Sequence, residues 1–292
     1  MWHRVSRVFA GRLGFLTLAV VYAILVAGCL ATFMAEGELS LGRRPLENLI
    51  RTAGEFAHPS FLDVWFGNTS LEYRSDDGTV LRVENRQDVE ANYLAGLASA
   101  TWTTFRIATL GSLLGAALAL PLGVLTARNL AAPSFLRLPA KGVLDVARAV
   151  HTLVFGLVLV GIVGLGPTAG ILAIAFHSMG TYGKLFAESI EALDMAAIEA
   201  VRSVGASPAQ VFFNAVWPAA LPQFVASHLY IWEFNIRDST ILGVIGAGGL
   251  GLLITEATSL FQWGRLSTVL IVIVLLVSSF DALSRRIRKA LS

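Results

Sequence analysis

Charged side chains are scarce in this chain of 292 residues. Asp, Glu, Lys and Arg make up 14% of the residues, whereas apolar types make up 55%. Soluble domains usually carry about 25% charged residues. A water-soluble fold with this composition would have too few polar side chains to cover its surface. The composition therefore predicts a membrane protein whose surface is covered in part by lipid.

Other absences narrow the possible functions. The single cysteine, Cys29, excludes an internal disulfide, and no Cys/His cluster has the spacing of metal ligands, so we expect no metal site. The net charge is only +2, and no basic run is interleaved with aromatic residues, which argues against a nucleic-acid partner. The nucleotide-binding P-loop pattern G-x4-G-K-[ST] is missing too, because Gly183-Lys184 is followed by Leu185. We expect no catalytic residue and no cofactor bound by this chain.

Long apolar runs are what the sequence has instead. A bilayer core of roughly 30 Å requires about 20 mainly apolar residues per helix, and six runs approach that length. They predict an all-α membrane protein with six transmembrane helices. The runs are Phe15–Met34, Ala98–Leu125, Val143–Leu165, Thr168–Phe186, Asn214–Phe234 and Leu266–Leu283.

Basic residues flank these runs in a pattern that predicts the orientation, since short cytoplasmic segments carry an excess of Lys and Arg. Three clusters can all be cytoplasmic only if an even number of helices crosses the membrane. Six helices satisfy this condition. We therefore predict a multi-pass membrane protein with both termini in the cytoplasm. The clusters are Arg4, Arg7 and Arg12; Arg128, Arg137 and Lys141; and Arg285, Arg286, Arg288 and Lys289.

The predicted helices divide the chain into four parts. Residues 1–34 form an N-terminal transmembrane helix, and residues 35–95 form an extracytoplasmic loop or cap. Residues 96–285 form the transmembrane core, and residues 286–292 form a cytoplasmic tail. A polar segment, residues 188–213, interrupts the core on the cytoplasmic side.

The segment 35–95 contains 11 acidic residues and six arginines, which leaves a formal charge of −5. Within it, Pro45–Phe56 has the pattern of an amphipathic helix. Leu71–Val83 has the pattern of a β-hairpin, with Asp76-Asp77-Gly78-Thr79 at the turn. Two interpretations remain open: a small cap over the helix ends, or a contact surface for a partner outside the membrane.

The first helix also contains a pattern similar to a lipoprotein cleavage site, Leu25-Val26-Ala27-Gly28-Cys29. The apolar run continues through Leu30 and Phe33 to Met34, as a spanning helix requires. We therefore expect an uncleaved helix.

The polar segment 188–213 is built as a helix, a glycine and a second helix. Met195–Val204 is predicted to be a short helix, and Gly205 suits the left-handed residue that ends it. Ser207 suits the N-cap of a second helix, and Pro208 suits its first turn. This pattern predicts a rigid cytoplasmic knob, which we define as residues 195–213; an ordinary loop is the alternative.

The same residues resemble the Glu-Ala-Ala loop of bacterial ABC importer permeases, with the pattern E-A-A-x3-G-x9-I-x-L-P. Glu199, Ala200, Gly205 and Pro218 match it at the right spacing. The second Ala is Val201, the Ile is Ala215 and the Leu is Trp217. The resemblance implies that this segment is the coupling helix, which docks in a cleft of a separate ATPase subunit. Glu199 and Ala200 would belong to its buried first helix, Gly205 would carry the bend, and Ala206, Ser207 and Pro208 would lie at the tip.

The resemblance extends over about residues 95–285. In this range the sequence is similar to the phosphonate-type permeases in particular. The matching stretches are Glu191–Asp194, Leu221–Phe224 and Trp232–Gly251. The resemblance implies a type I importer permease core and a phosphorus oxyanion as the cargo. Methionine permeases share the Gly-rich end of the match, so methionine or another small solute is the alternative cargo.

The resemblance also implies the partners and the cycle. Two copies of this chain, or this chain and a homologue, would line one pathway. Two ATPase subunits would bind the ATP and dock below, and a periplasmic or lipid-anchored binding protein would dock above. ATP binding would draw the two coupling helices together and open the pathway outward.

Ionisable side chains inside the predicted helices are candidates for the pathway, because charge at bilayer depth is costly. Arg106, Arg148, His151 and Arg237 are the candidate pathway-lining residues, since arginine suits phosphonate oxygens. Asp145 with Arg148, and Glu233 with Arg237, are spaced to form ion pairs, which is the structural alternative. Asp145, Arg148 and His151 are expected to share one helix face. His177 and His228 have no partner in the sequence pattern.

Two glycine patterns remain. Gly243–Gly251 is expected to let the chain turn back at the outer mouth, and Gly111-x-x-x-Gly115 is expected to allow close helix packing. An ion-gradient transporter is a rival interpretation, but inverted repeats and a broken helix with acidic sites are not evident. An intramembrane hydrolase using His177-Ser178 or His151 is another, but no complete nucleophile, base and orienting residue occur at motif spacing.

Overall fold

The structure, a computed structural model, describes residues 2–36, 44–67, 70–74, 79–130 and 133–291. Helices account for most of these residues, as the apolar runs predict. The chain divides into two compact units, residues 1–53 and 54–292, and each is described by itself.

The first unit contains α1 (Trp2–Ala35) and most of α2 (Pro45–Phe56), which ends within the second unit. Residues 14–35 of α1 are long and apolar enough to cross a membrane, and none of this stretch is buried by protein. Apolar side chains exposed along a whole helix need lipid or another protein to cover them. The helices predicted at Phe15–Met34 and Pro45–Phe56 are therefore confirmed.

The second unit is a helical bundle with one β-hairpin. Its elements, in chain order, are a 3-10 turn (Ser60–Leu62), α3 (Asp63–Phe66), β1 (Ser70–Arg74), β2 (Val80–Asn85), α4 (Arg86–Thr126), α5 (Ser134–Ala149), α6 (Thr152–Val163), α7 (Pro167–Glu191), α8 (Met195–Ser203), α9 (Pro208–Val211), a π-helical segment (Phe212–Val216), α10 (Trp217–Leu242), a kinked π-helical segment (Gly243–Ala247), α11 (Leu250–Ser259) and α12 (Trp263–Leu291).

The hairpin predicted over Leu71–Val83 is confirmed. Strands β1 and β2 are antiparallel, with Ser70 opposite Asn85 and with an irregularity between Tyr73 and Arg74. The predicted turn residues Asp76, Asp77 and Gly78 lie outside the described residues.

Helix α4 begins earlier than the sequence predicts. Asn85 ends β2 and also caps α4, because its side chain accepts a hydrogen bond from the backbone nitrogen of Gln87 at 3.1 Å. Residues 86–95 are therefore helical and continuous with the predicted second transmembrane helix, and the end of the outer loop at residue 95 stays a prediction. These residues are held in place by a part-buried ion pair of 2.9 Å between Glu90 and Arg265. The Arg265 guanidinium also lies 4.6 Å from the Tyr93 ring centroid.

The predicted cytoplasmic tail is also helical. Helix α12 continues through Leu291, so residues 286–291 extend it instead of forming a separate segment. Arg288 and Lys289 lie in its last turn, where positive charge complements the helix dipole.

Helix α7 forms the centre of the bundle and packs against α4, α5, α6 and α10. Glycines allow its backbone to approach α4 closely. A Cβ atom added to Gly115 would lie 3.0 Å from the carbonyl oxygen of Ala175, and one added to Gly111 would lie 2.7 Å from Ile174. The close packing predicted for Gly111 and Gly115 is therefore confirmed.

The predicted third transmembrane helix, Val143–Leu165, is wrong as a single straight helix. It is broken between Ala149 and Thr152, and α5 and α6 meet there at an angle of 95°. Val150 and His151 adopt extended backbone conformations at the break. The break has no glycine or proline, so its cause lies in contacts with other helices, described below.

Length and composition give three membrane-crossing helices among the described residues, or five if each of two bent pairs counts as one span. The bent pairs are α5 with α6, and the helix over 208–247 with α11. Helix α7 has 25 residues and is largely buried by its neighbours, so it needs less apolar surface than a lipid-facing helix. The count of six helices stays a prediction.

Candidate functional site

The knob has the local structure that its sequence predicts. Helix α8 begins at the N-cap Asp194, whose side chain accepts from the backbone nitrogen of Ala196 at 2.9 Å. The chain turns at Gly205, which has a φ of +81°. Ser207 then caps α9, with its hydroxyl and the Gln210 side chain each accepting from the other's backbone nitrogen, and Pro208 is the first helical residue.

Two buried residues anchor the knob to the bundle. Ile198 of α8 and Val211 of α9 lie in one apolar cluster with Ala127 and Ile190. The opposite side of the knob is exposed, including Glu199, Ala200, Gly205, Ser207 and Pro208. Glu199 and Ala200 are thus exposed in the single chain and not buried, because Ile198 occupies the inward face of α8.

The tip of the knob also carries exposed apolar surface. Val204, beside the turn at Gly205, is 82% exposed. A cavity of about 390 Å³ lies between the knob and the end of α4, lined mainly by apolar side chains such as Leu130 and Phe212.

The knob continues directly into the bundle. Helix α9 runs through the π-helical segment Phe212–Val216 into α10 without a break. Pro218 lies in the first turn of α10, where it can donate no backbone hydrogen bond and its ring crowds the preceding turn. The wider π turn relieves this crowding, which explains why the helix widens just before the proline.

Each cation that the sequence singles out has a hydrogen-bond partner on its own helix. Arg148 donates to Asp145 at 2.8 and 3.0 Å, and Arg237 donates to Glu233 at 3.4 Å. Arg106 is exposed and donates to the hydroxyl of Thr103 at 3.3 Å. Arg106, Arg148 and Arg237 lie on three different helices, α4, α5 and α10. The two predicted ion pairs are confirmed, and roles in a pathway stay predictions.

His151 does not share a helix face with Asp145 and Arg148, which corrects the prediction. It lies beyond the break and caps α6, where its Nδ1 accepts from the backbone nitrogen of Leu153 at 3.2 Å. The break itself is held by two other helices. His177 Nδ1 of α7 lies 2.8 Å from the carbonyl oxygen of Val150.

The second contact at the break is a buried hydrogen bond between α6 and α10. The hydroxyl of Thr152 donates to Asp238 Oδ2 at 2.7 Å, and both side chains are buried. Asp238 is an intramembrane acid to which the sequence analysis gave no role. Its position among polar residues, in the stretch Asn235–Thr240, was the available signal.

A buried polar cluster joins the three central helices and was missed entirely. Asn235 of α10 donates to Ser112 of α4 at 2.8 Å and to Ser178 of α7 at 2.9 Å. Close by in sequence, Trp232 donates to Thr109 at 3.0 Å, and the Tyr182 hydroxyl lies 3.0 Å from His228 Nδ1. Small polar residues inside apolar runs were the only signal, and such residues often bond to their own helix.

A small cleft lies beside this cluster, between α7 and α10. It has a volume of about 210 Å³ and is lined by His177, Ser178, Tyr230, Phe234 and Asn235, among others. Ser178 is hydrogen-bonded to Asn235, and His177 to the carbonyl oxygen of Val150, so the two do not pair as a nucleophile and base would. Among the described residues, no group of three His, Cys, Asp or Glu could hold a metal ion.

Comparisons with known proteins identify the family. Residues 119–292 match the family model described as binding-protein-dependent transport system inner membrane component. This match covers more than half of the chain, and the chain belongs to that family. Its members are the permease subunits of ABC transporters, a non-catalytic membrane component. The resemblance that the sequence indicates is therefore confirmed.

Two curated relatives have similar sequences. One is a putative phosphite transport system permease protein of Stutzerimonas stutzeri, 40% identical over 185 residues, which are 63% of this chain and 66% of the relative. The other is a phosphate-import permease protein of Mycolicibacterium smegmatis, 40% identical over 195 residues, which are 67% of this chain and 37% of the relative. The chain thus spans just under two thirds of the first relative's length and about a third of the second's.

The fold is similar to that of a solved transporter. The inward-facing MetNI methionine ABC transporter contains a chain that superposes with a TM-score of 0.61 and 23% sequence identity, over 67% of this chain and 96% of that one. At this identity the likeness shows the fold alone. The type I importer permease architecture is confirmed to that extent.

Proposed function

We propose that this chain is the membrane-spanning permease subunit of an ATP-driven importer for phosphonate or a related phosphorus oxyanion. The observation that carries the proposal is the knob, a capped turn around Gly205 that projects an exposed tip from a buried anchor. A chain that only conducts a solute needs no such projection. The names of the phosphite and phosphate relatives support the cargo.

The knob is the part that would dock with the ATPase. Gly205, Ala206, Ser207 and Pro208 form its exposed or half-exposed tip, and Glu199 and Ala200 its exposed flank. The P-loop pattern is missing from this chain, so the ATP would be bound by the partner subunit. Two ATPase subunits would engage two knobs, one from this chain and one from a second permease copy or homologue.

The pathway would form between two permease chains, because the cleft between α7 and α10 is small, about 210 Å³. The half-buried His177 lines this cleft, and Arg237, 54% exposed at its side chain and paired with Glu233, follows the cleft residue Phe234 by three positions on α10. Such groups suit a tetrahedral oxyanion. Selection of the cargo would rest with a periplasmic or lipid-anchored binding protein on the opposite face of the membrane.

The arrangement in the membrane follows the charge pattern. Six crossings would place both termini and the knob in the cytoplasm, with α7 as one crossing and α6 as the membrane-inserted part of another. The segment that follows α1 would then lie outside the membrane. Its hairpin and short helices would cap the outer mouth or contact the binding protein.

The test is reconstitution of the permease with its ATPase and binding protein in proteoliposomes. ATP hydrolysis and uptake are measured with methylphosphonate, aminoethylphosphonate, phosphite, phosphate and methionine. We expect at least one phosphorus oxyanion to stimulate both activities and methionine to stimulate neither. Stimulation by methionine alone would replace the proposed cargo with the alternative, and transport that persists without the ATPase would overturn ATP-driven import.

A further inference from the structure

A second cavity lies at the same end of the bundle as the knob. It has a volume of about 430 Å³ and is enclosed by the end of α4, by α5 and by the last turns of α7. Its walls carry five cations, from Arg128, Arg137, Lys141, Arg148 and Lys184. The family model and the proposed function assign nothing to this cavity.

The carboxylates in the cavity are already engaged. Asp145 accepts from Arg148 at 2.8 and 3.0 Å, and Glu188 lies 3.6 Å from Lys184. Glu191 accepts from the backbone nitrogen of Arg128 at 2.8 Å, and its oxygen is 4.0 Å from the guanidinium of that residue. Three carboxylates therefore balance three of the five cations.

Arg137 and Lys141 are the two cations left over. Within the part of the chain that the structure describes, neither makes an ion pair or a side-chain hydrogen bond. They are four residues apart on α5, so they lie on adjacent turns of one face and both reach the cavity. Two like charges placed this closely repel one another unless an anion lies between them.

Helix α5 has the character of a helix that lies in the membrane surface. Phe135, Leu138 and Val146 are 73%, 67% and 65% exposed, beside the stripe of polar residues that faces the cavity. The break at Val150 sets α5 at 95° to α6. If α6 enters the bilayer, α5 lies along its surface, with its apolar side chains in the acyl boundary and the cavity at headgroup depth.

We propose that this cavity binds a phosphate group, and that Arg137 and Lys141 are its principal ligands. A guanidinium donates two parallel hydrogen bonds to phosphate oxygens, and an ammonium adds a compact charge. An anionic phospholipid headgroup and a free oxyanion in the cytoplasm offer the same chemistry. Occupation of the site would fix α5 against the ends of α4 and α7, beside the knob.

The test measures binding to the full-length chain. The purified protein is incorporated in nanodiscs containing phosphatidylcholine and phosphatidylglycerol, and the lipid retained after extraction is counted by native mass spectrometry. We expect the double variant Arg137→Gln/Lys141→Gln to retain about tenfold less phosphatidylglycerol than the unmodified chain. A second arm titrates inorganic phosphate and methylphosphonate calorimetrically into nanodiscs of phosphatidylcholine alone.

The matched control removes two cations from the far end of α12, through Arg286→Gln/Arg288→Gln. This control removes the same charge, so any loss that comes from general attraction to anionic lipid would appear in it as well. We expect it to change retention less than twofold, because neither residue lines the cavity. The conservative variant Arg137→Lys/Lys141→Arg should keep binding, which separates loss of the site from misfolding.

Each outcome decides the proposal. Loss of lipid retention confined to the cavity variant assigns the site to a headgroup, and loss of oxyanion binding confined to it assigns the site to a free anion. Equal losses in the cavity and control variants, or no loss in either arm, would overturn it. The binding arms need no transport, so failure here is distinguishable from failure of the proposed function.

Discussion

Gly205 is the residue on which the shape of the knob depends. Its φ of +81° is open to glycine at no steric cost, whereas other L-residues lose roughly 1–2 kcal/mol in that region. A Cβ atom added there would meet nothing within 4 Å. The constraint is therefore conformational and not one of space, so the effect of a substitution depends on which backbone angles the new residue accepts.

We expect Gly205→Val to lower ATP-driven uptake by about tenfold, because a β-branched residue disfavours positive φ and shifts the knob to other conformations. Gly205→Asn is the control, since asparagine tolerates this region, and it should stay within about twofold of the unmodified complex. The measurement is uptake into proteoliposomes containing the ATPase. Equal activity of the two variants would show that the turn geometry is not required.

Inside the bundle, Asn235 is the residue that joins α10 to both α4 and α7 through side-chain hydrogen bonds. Asn235→Ala leaves the buried hydroxyls of Ser112 and Ser178 without this partner. We expect a loss of about 1–2 kcal/mol in the free energy of unfolding. Thermal unfolding in detergent measures it, and the exposed Asn214→Ala should change stability by less than about 0.5 kcal/mol. The idea fails if both variants unfold at the same temperature.

At the scale of elements, local signals predicted more than tertiary ones. The knob was predictable because Asp194, Gly205 and Ser207 act within a few residues of their own positions. The hairpin was predictable from alternation for the same reason. The break at Val150 was not, because no glycine or proline marks it, although Asp145, Arg148 and His151 interrupt the apolar run there.

The break arises from residues distant in sequence. The His177 ring is hydrogen-bonded to the carbonyl oxygen of Val150, and Asp238 accepts a hydrogen bond from the hydroxyl of Thr152. Contacts with α7 and α10 thus hold the chain out of helical geometry at the break. The early start of α4 has a similar origin, since Glu90 pairs with Arg265 in the last helix. Neither pairing can be seen in a single segment of sequence.

The packing of α5 on α7 gives a prediction at this scale. A Cβ atom added to Gly180 would lie 2.5 Å from the backbone nitrogen of Arg148 and 2.6 Å from the carbonyl oxygen of Leu144. Backbone cannot move aside as a side chain can, so Gly180→Ala should displace α5 and cost about 1–3 kcal/mol.

Gly142→Ala is the matched control on α5 itself. An added Cβ there meets nothing within 4 Å, and alanine is the better helix former by about 1 kcal/mol. Thermal unfolding in detergent should therefore move in opposite directions for the two variants. A neutral Gly180→Ala would contradict the close contact between α5 and α7.

At the scale of the whole molecule, the number of crossings and the orientation are testable with one reagent. Cys29 is the only cysteine in the sequence, so Cys29→Ser gives a clean background. Single cysteines at Thr79, Ser207 and Arg286 then report three segments. We expect a membrane-impermeant maleimide to label Thr79→Cys in intact spheroplasts, and to label the other two only after lysis.

Labelling of Ser207→Cys from outside would reverse the orientation. If Arg286→Cys is labelled from outside and Ser207→Cys is not, an odd number of crossings separates the knob from the C-terminal end, which contradicts the two that we predict. Intact mass of the unmodified chain, measured alongside, decides whether the sequence ending at Cys29 is cleaved and lipidated.

The unbroken passage from α9 through the π turn into α10 has a mechanical consequence. This helix is roughly 50 Å long at a rise of 1.5 Å per residue, and it ends at a turn whose Gly246, Gly248 and Gly249 all have positive φ. A helix resists compression along its axis, so an axial displacement imposed at one end reappears at the other. It can be absorbed in the widened turn beside Pro218, at Pro222 inside α10 or in the glycines. A displacement at the knob would therefore reach the far end of α10, where the glycines allow the chain to change its angle.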